Sequence, residues 1–309
     1  MIPRHALIPP YVFRLVCRPA LPMDTPHVLE LTRTIWEGHD YVPLVWQEWL
    51  RDPQGLLAVA EFGGRVVGIS KLSRLSPSEW WLEGLRVHPH FQGRGIASHL
   101  NDYLLAYWNS HEGKILRLVT SSLRLQVQHL CQRSGFKKIF EVIPYGAEPV
   151  IGPVERFSPL KPGEEAMALE MSLRYPAPTL PGGLMDIGWQ WAEPSFDHIA
   201  AAVAQGRAWW WGREPGVKEA LLLARDDEEE DGQSSLMIQL IACPLERLAA
   251  CLEDYRRLAQ ALGLGRAAWF APLDGTLEPS LLAAGYQRDW EDSLYVYEKR
   301  SPEISTPER

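Results

Sequence analysis

The stretch Gln92-Gly93-Arg94-Gly95-Ile96-Ala97-Ser98 sets two glycines just ahead of an apolar helical period. Glycine lets the backbone turn tightly and brings bare N–H groups close to a ligand. A helix that starts there adds unpaired donors and a partial positive charge. Together these suit a diphosphate.

The elements that must hold this turn can be read on either side of it. Trp80 to Val87 is a short apolar run that reads as a strand, and His88-Pro89 ends it. Proline cannot donate to a sheet ladder and keeps its predecessor out of helical space. After the turn, Ile96, Leu100, Tyr103, Leu104 and Tyr107 recur at helical spacing. The order is therefore strand, glycine turn, helix.

Several nucleotide-binding turns share that order, and the spacing separates them. Gly93 and Gly95 fit the first part of G-x-G-x-x-G, but Ser98 stands where the third glycine belongs. No G-x-x-x-x-G-K-[ST] loop is present. The pattern met is Q/R-x-x-G-x-G/A, by Gln92, Gly95 and Ala97, preceded by Leu85-Arg86-Val87-His88-Pro89. On these residues the chain resembles the GCN5-related N-acetyltransferase (GNAT) superfamily, which binds acetyl-coenzyme A. The alternative is an ordinary strand-turn-helix with surface glycines.

The rest of the first half keeps the family's order of elements. A strand is expected over 11–18, a helix from Asp24-Thr25-Pro26, a loop over 35–43 and a second helix over 44–50. A hairpin about Gly63-Gly64 follows, joining strands over 56–61 and 65–71. Past the turn come a strand over 115–120, a helix over 127–133 and a strand over 136–142. The resemblance implies a mixed α/β (α+β) fold whose sheet splays after the strand before the turn. It further implies that pantetheine lies in the split, on the main chain of Leu85 and Val87. Cofactor contacts are thus expected from Leu85, Arg86, Val87, Gln92, Gly93, Arg94, Gly95, Ile96, Ala97 and Ser98.

Residues 143–188 are rich in Pro and Gly with little periodicity, and read as the end of one domain and a linker. From Met185 the pattern of strands and helices returns. Gly285-Tyr286 mirrors Gly135-Phe136, but the turn after Pro244 has no glycine loop. Glu246 stands near where a phosphate would sit and would repel it. The expected organisation is an acetyl-coenzyme A-binding domain over 11–150, a linker over 151–184 and a degenerate GNAT-like domain over 185–300. An unrelated α+β cap is the alternative for the last part. The acidic run Asp226–Asp231 reads as a solvated hairpin loop.

Composition agrees with a globular protein: of 309 residues, 46% are hydrophobic and 23% charged. The net charge of −8 disfavours nucleic acid and acidic membranes as partners. No apolar run approaches the ~18 residues of a membrane span. Four cysteines without a C-x-x-C pair fit reduced thiols. A cytoplasmic protein is expected, with no metal. Thirteen tryptophans suggest aromatic-lined surfaces or pockets.

Acetyl transfer to an amine needs a base for the amine, a donor to the developing oxyanion and an acid for the leaving thiolate. Glu83 is the candidate base: alternation puts it on the same strand face as Leu85, and the family often has Glu or His there. Trp80, Trp81 and Leu82 would lower the dielectric around it. A surface carboxylate, or one paired with Arg86 or Arg117, is the alternative. The family's usual acid is a tyrosine four residues before Gly-Phe; here that place is Cys131. Cys131 is either the acid or a small buried apolar residue, and Tyr145 is a second candidate acid.

A closer likeness is to the histidine N-acetyltransferase group, carried by Trp36-Glu-Gly-His-Asp-Tyr-Val-Pro43, Trp49-Leu-Arg-Asp-Pro53 and Glu83-Gly-Leu-Arg-Val87. It implies a small-molecule amine as acceptor, with a free amino acid such as histidine among the candidates. Asp40 would then face an ammonium and Tyr41 would stack on the acceptor, unless both serve only the turn. The competing functions are a non-catalytic coenzyme A-binding protein and a peptide or protein N-acetyltransferase.

Overall fold

In the computed structural model, residues 14–33, 35–111, 113–174, 179–214, 216–228 and 232–301 are described. The chain divides into two compact units. One holds the described residues up to Leu116 with Arg300 and Ser301, the other Arg117–Lys299.

In the first unit, β1 (Val16–Pro19) precedes helices α1 (Thr25–Thr32) and α2 (Val42–Arg51). Strands β2 (Leu56–Phe62), β3 (Arg65–Arg74) and β4 (Glu79–Val87) then form an antiparallel meander, with β1 on the outer edge of β2. Helix α3 (Ile96–Ser110) follows the glycine turn. Residues 11–13 of the expected first strand lie outside the described residues.

The alternating pattern of the strands decides which helix covers which face. Val28, Val42, Trp46 and Trp49 of α1 and α2 pack with Leu57, Val59 and Ile69 on one face. Gly68 is on the other, where an added Cβ would stand 3.0 Å from Ile96 and 3.1 Å from Leu100 of α3. The tryptophans are mostly core: Trp46, Trp80, Trp81, Trp108, Trp210 and Trp211 are all at most 1% exposed. The expected aromatic-lined surfaces are thus largely buried packing, because these rings fall on inward-facing positions.

The second unit begins within β5 (Ile115–Ser121) and continues through α4 (Leu125–Arg133), β6 (Lys137–Ala147), β7 (Phe157–Pro159), α5 (Glu165–Arg174), β8 (Met185–Asp186) and β9 (Trp191–Ala192). Then come α6 (Phe196–Ala204), β10 (Ala208–Trp211), β11 (Ala220–Glu228), β12 (Ser234–Ala242), α7 (Leu245–Ala261), β13 (Arg266–Pro272), α8 (Glu278–Ala283), β14 (Gln287–Arg288) and β15 (Leu294–Arg300). The strand order is β5-β15-β6-β13-β12-β11-β10-β7, with β14 beside β6. The pair β12–β13 is parallel. Arg117 of β5, 1% exposed in its side chain, is held by Glu298 of β15 at 2.8 Å. Leu221, Leu223 and Leu240 pack with α5 and α6, and Ala267, Trp269 and Ala271 pack with α7 and α8.

The order of elements runs twice. The series β1-α1-α2-β2-β3-β4-α3-β5-α4-β6 is matched by β7-α5-α6-β10-β11-β12-α7-β13-α8-β15, with the β8–β9 hairpin and β14 added. The second series opens at Phe157, inside the stretch read as linker. Proline and glycine density hid it, although Ala168, Met171 and Ser172 of α5 are buried at helical spacing. Strand β11 runs through Asp226, Asp227 and Glu228 as the start of the acidic hairpin; residues 229–231 lie outside the described set.

Candidate active site

The site in the first unit is built on an irregularity of β4. Pairing with β3 runs Leu82↔Leu72 and Glu83↔Lys71, then resumes at Arg86↔Ile69 and Val87↔Gly68. Two residues of β4, Gly84 and Leu85, therefore oppose one of β3, which is a β-bulge. Gly84 takes φ +66°, in the left-handed region that favours glycine. A Cβ there would also stand 2.6 Å from the Trp49 ring of α2.

The bulge corrects one expectation. Alternation alone would put Glu83 and Leu85 on one face. The extra residue reverses that, and Glu83 instead shares its face with Arg86, the face covered by α2. A glycine inside a strand pattern is the signal that marks such a bulge.

Around Glu83 the contacts are specific. Ser73 Oγ donates to Glu83 Oε1 at 2.5 Å. Lys71, opposite Glu83 and buried, is held by an ion pair with Asp52. Arg86 donates from Nε to Asp40 Oδ2 at 2.9 Å and from Nη2 to Asp40 Oδ1 at 3.0 Å. This fork is planar and bidentate, and the Asp40 side chain is 1% exposed. Asp40 is thus engaged by Arg86, whereas the sequence suggested a carboxylate facing an acceptor. Arg86, expected among the cofactor contacts, is turned to Asp40. Arg117, an alternative partner for Glu83, is taken by Glu298.

Tyr41 stands at the N-terminus of α2. Its ring meets Trp49 edge-on at 6.0 Å, and the Arg86 guanidinium lies 5.3 Å from its centroid. Burial pushes its hydroxyl up to about 12; the Arg86 charge and the Gly84 amide pull down, and Glu83 and Asp40 push up. One face of the ring is therefore covered by Arg86, leaving less of it for stacking.

The turn after β4 is eight residues long, from His88 to Gly95. A single turn of Pro89–Phe91 opens it, with His88 Nδ1 accepting from the His90 amide at 3.2 Å. Gln92 Nε2 folds back to donate to Val87 O at 3.2 Å. Gly93 and Gly95 have φ of +73° and +78°, and Gly95 is the left-handed residue that starts α3. Among the described residues, the N–H groups of Gly93, Arg94, Gly95, Ile96, Ala97 and Ser98 find no protein acceptor. Ile96 is buried and anchors the turn. Arg94 lies over Phe91 at 5.3 Å. The carbonyls of Leu85 and Val87 already accept from Arg86 Nη1 and Gln92 Nε2.

The two candidate acids belong to the second unit. Cys131 of α4 is 2% exposed, and burial pushes its thiol up to about 12. Tyr145 of β6 donates to Glu278 Oε1 at 3.2 Å and accepts from Arg288 Nε at 3.0 Å. Among the described residues no group of three or more His, Cys, Asp or Glu is placed to hold a metal ion. No helix among them is long and apolar enough to cross a membrane.

Residues 25–136 match the family model described as "Acetyltransferase (GNAT) family". The human protein named "Probable N-acetyltransferase 16" is 26% identical over 201 residues, 59% of this chain and 54% of that protein. The "Histidine N-acetyltransferase" of Oreochromis niloticus is 31% identical over 75 residues, 24% of this chain and 22% of that protein. This chain thus spans about half the length of the human relative. The structure titled "Tandem GNAT protein from the clavulanic acid biosynthesis pathway (without AcCoA)" superimposes with a TM-score of 0.58 at 15% identity, over 94% of this chain and 99% of that one. That likeness concerns the fold, and it accounts for the doubled order of elements.

Proposed function

Residues 25–136 belong to the acetyltransferase (GNAT) family, and on that premise we propose that this protein moves an acetyl group from acetyl-coenzyme A to the amine of a small molecule. The observation that carries the reading is the row of amides from Gly93 to Ser98. Six N–H groups without an acceptor among the described residues, at the start of a fifteen-residue helix, form a cradle for a diphosphate. Strand β4 leads from that cradle to Glu83.

Strand β4 and its turn, with Ser73 and Asp40, then divide the work. The turn grips the diphosphate, and Gly93 and Gly95 keep it free of side chains that would fill the cradle. The main chain of β4 at Leu85 and Val87, whose carbonyls keep a second lone pair, guides the pantetheine arm. Glu83 accepts a proton from the nitrogen as the neutral amine attacks, directly or through one water. Ser73 holds its carboxylate in place. Asp40 acts by fixing Arg86.

A free amino acid is the acceptor class we favour, with histidine foremost, because the similar proteins include several named for histidine N-acetylation. The burial of Cys131 favours a second reading, a coenzyme A-binding protein whose acid has been lost. Release of free thiol from acetyl-coenzyme A, measured over a panel of amino acids, small amines and peptides, separates the readings. Turnover with a free amino acid is expected. Glu83→Gln is expected to lower kcat by about 100-fold at neutral pH while cofactor affinity stays near that of the unsubstituted protein. Cofactor binding with no thiol release from any amine would leave the second reading standing.

A further inference from the structure

On the transferase reading, the departing thiolate needs a proton, and the residue where the family keeps its tyrosine does not offer one freely. Cys131 is enclosed. Tyr145 has its hydroxyl committed at both ends, to Glu278 and Arg288. Tyr41, at the start of α2, however, sets a phenol against the β4 bulge. Trp49 lies against the bulge where only glycine fits, and Tyr41 packs edge-on to Trp49 at 6.0 Å. The Arg86 guanidinium, locked by Asp40, closes on the ring at 5.3 Å. The hydroxyl reaches the Gly84 amide and lies within electrostatic reach of Glu83.

We propose that Tyr41, at the start of α2, is the general acid of this site, acting beside Glu83 of β4. The charged and titratable groups around it are Glu83, Arg86, Asp40 and, across on β3, the Lys71–Asp52 pair.

The step balances without a co-reactant. The amine lone pair forms the N–C bond, and the carbonyl π pair moves onto oxygen. That pair returns as the C–S bond breaks and its electrons leave on sulfur. The ammonium proton passes to Glu83. The Tyr41 hydroxyl proton passes to sulfur, and the proton on Glu83 restores the phenol. Net transfer is one proton from the amine to the thiol. Arg86 offsets the charge that builds on the phenolate, which is a use for a cation buried against a ring.

The test replaces Tyr41 by Phe, and separately by 3-fluorotyrosine and 3,5-difluorotyrosine, which lower the phenol's pKa with little change of shape. Tyr41→Phe is expected to lose about 100-fold in kcat, with the KM for acetyl-coenzyme A changed less than about two-fold. The alkaline limb of kcat is expected to move to lower pH stepwise through the fluorinated series. A Phe variant that keeps more than about a third of kcat, or an alkaline limb that stays fixed across the series, would overturn the assignment. Should the Phe variant fail to fold, the near-isosteric fluorotyrosines decide. An unsubstituted protein that releases no thiol with any amine removes the transferase reading and the Tyr41 role together. Turnover that Glu83→Gln abolishes and Tyr41 variants leave alone removes only the latter.

Discussion

Gly84 shows how much one residue can decide. Its positive φ costs an L-residue roughly 1–2 kcal/mol. A methyl group there would also press into the Trp49 ring, and overpacking typically costs about 1–3 kcal/mol. Gly84→Ala is therefore expected to lower unfolding stability by about 2–5 kcal/mol, read from the urea midpoint at unchanged slope. A loss below about 0.5 kcal/mol, the range of an innocuous surface change, would mean that the bulge tolerates a side chain. The same residue explains what was legible in the sequence and what was not. Glu83 is singled out in the sequence because it stands two residues before Leu85, where the family often has Glu or His. The face it occupies was misread, because strict alternation ignores an inserted residue. Asp40 is singled out by type, but its partner, Arg86, is 46 residues away. No local pattern reveals a pairing set by the sheet.

Among the elements, the strand-turn-helix unit was the most legible, because Pro, Gly and the apolar period act locally and in order. Long-range pairs were the least. Lys71 and Asp52 illustrate this: the Lys71 side chain on β3 is only 1% exposed, and its ion partner follows α2. Burial pushes the Asp52 carboxyl up, but the Lys71 ammonium and the amides of Gln54 and Gly55 outweigh it, and the net shift is downward. Asp24 is lowered in the same sense: burial raises it, and the Arg18 guanidinium and the Leu21 amide prevail. The folded state thus binds these protons less readily than the unfolded chain. Their stabilisation is present above the unfolded carboxyl value near ~3.9 and is lost as pH falls through the lower folded value. Removing Asp52 at neutral pH leaves the Lys71 charge buried and unpaired. Breaking a fully buried pair costs about 3–5 kcal/mol, and the partial exposure of Asp52 reduces that to about 2. Asp52→Asn is expected to show that loss and a shallower acid limb in denaturant titrations from pH 7 to pH 2. Adding Lys71→Met to it should restore most of the stability. If the double variant is as weak as the single one, the buried ammonium is not the source of the cost.

At the scale of the whole molecule, the two runs of the same elements differ at the point where a cofactor would be held. In the first, residues 88–95 separate strand from helix, and the six amides from Gly93 to Ser98 lack acceptors among the described residues. In the second, only Cys243 and Pro244 lie between β12 and α7. Two residues cannot wrap a diphosphate. The Arg247 amide is already bonded to Pro244 O at 2.9 Å, and Glu246 sets a carboxylate in the first helical turn. A duplicated fold in which one copy keeps the cradle and the other closes it should bind about one coenzyme A per chain by titration calorimetry. Gly95→Val should abolish that heat altogether, because a β-branched residue resists the +78° φ that starts α3. A stoichiometry near two, or residual binding in the Gly95 variant, would assign a cofactor site to the second copy as well. The first copy's turn would then not be the one cradle that holds the cofactor.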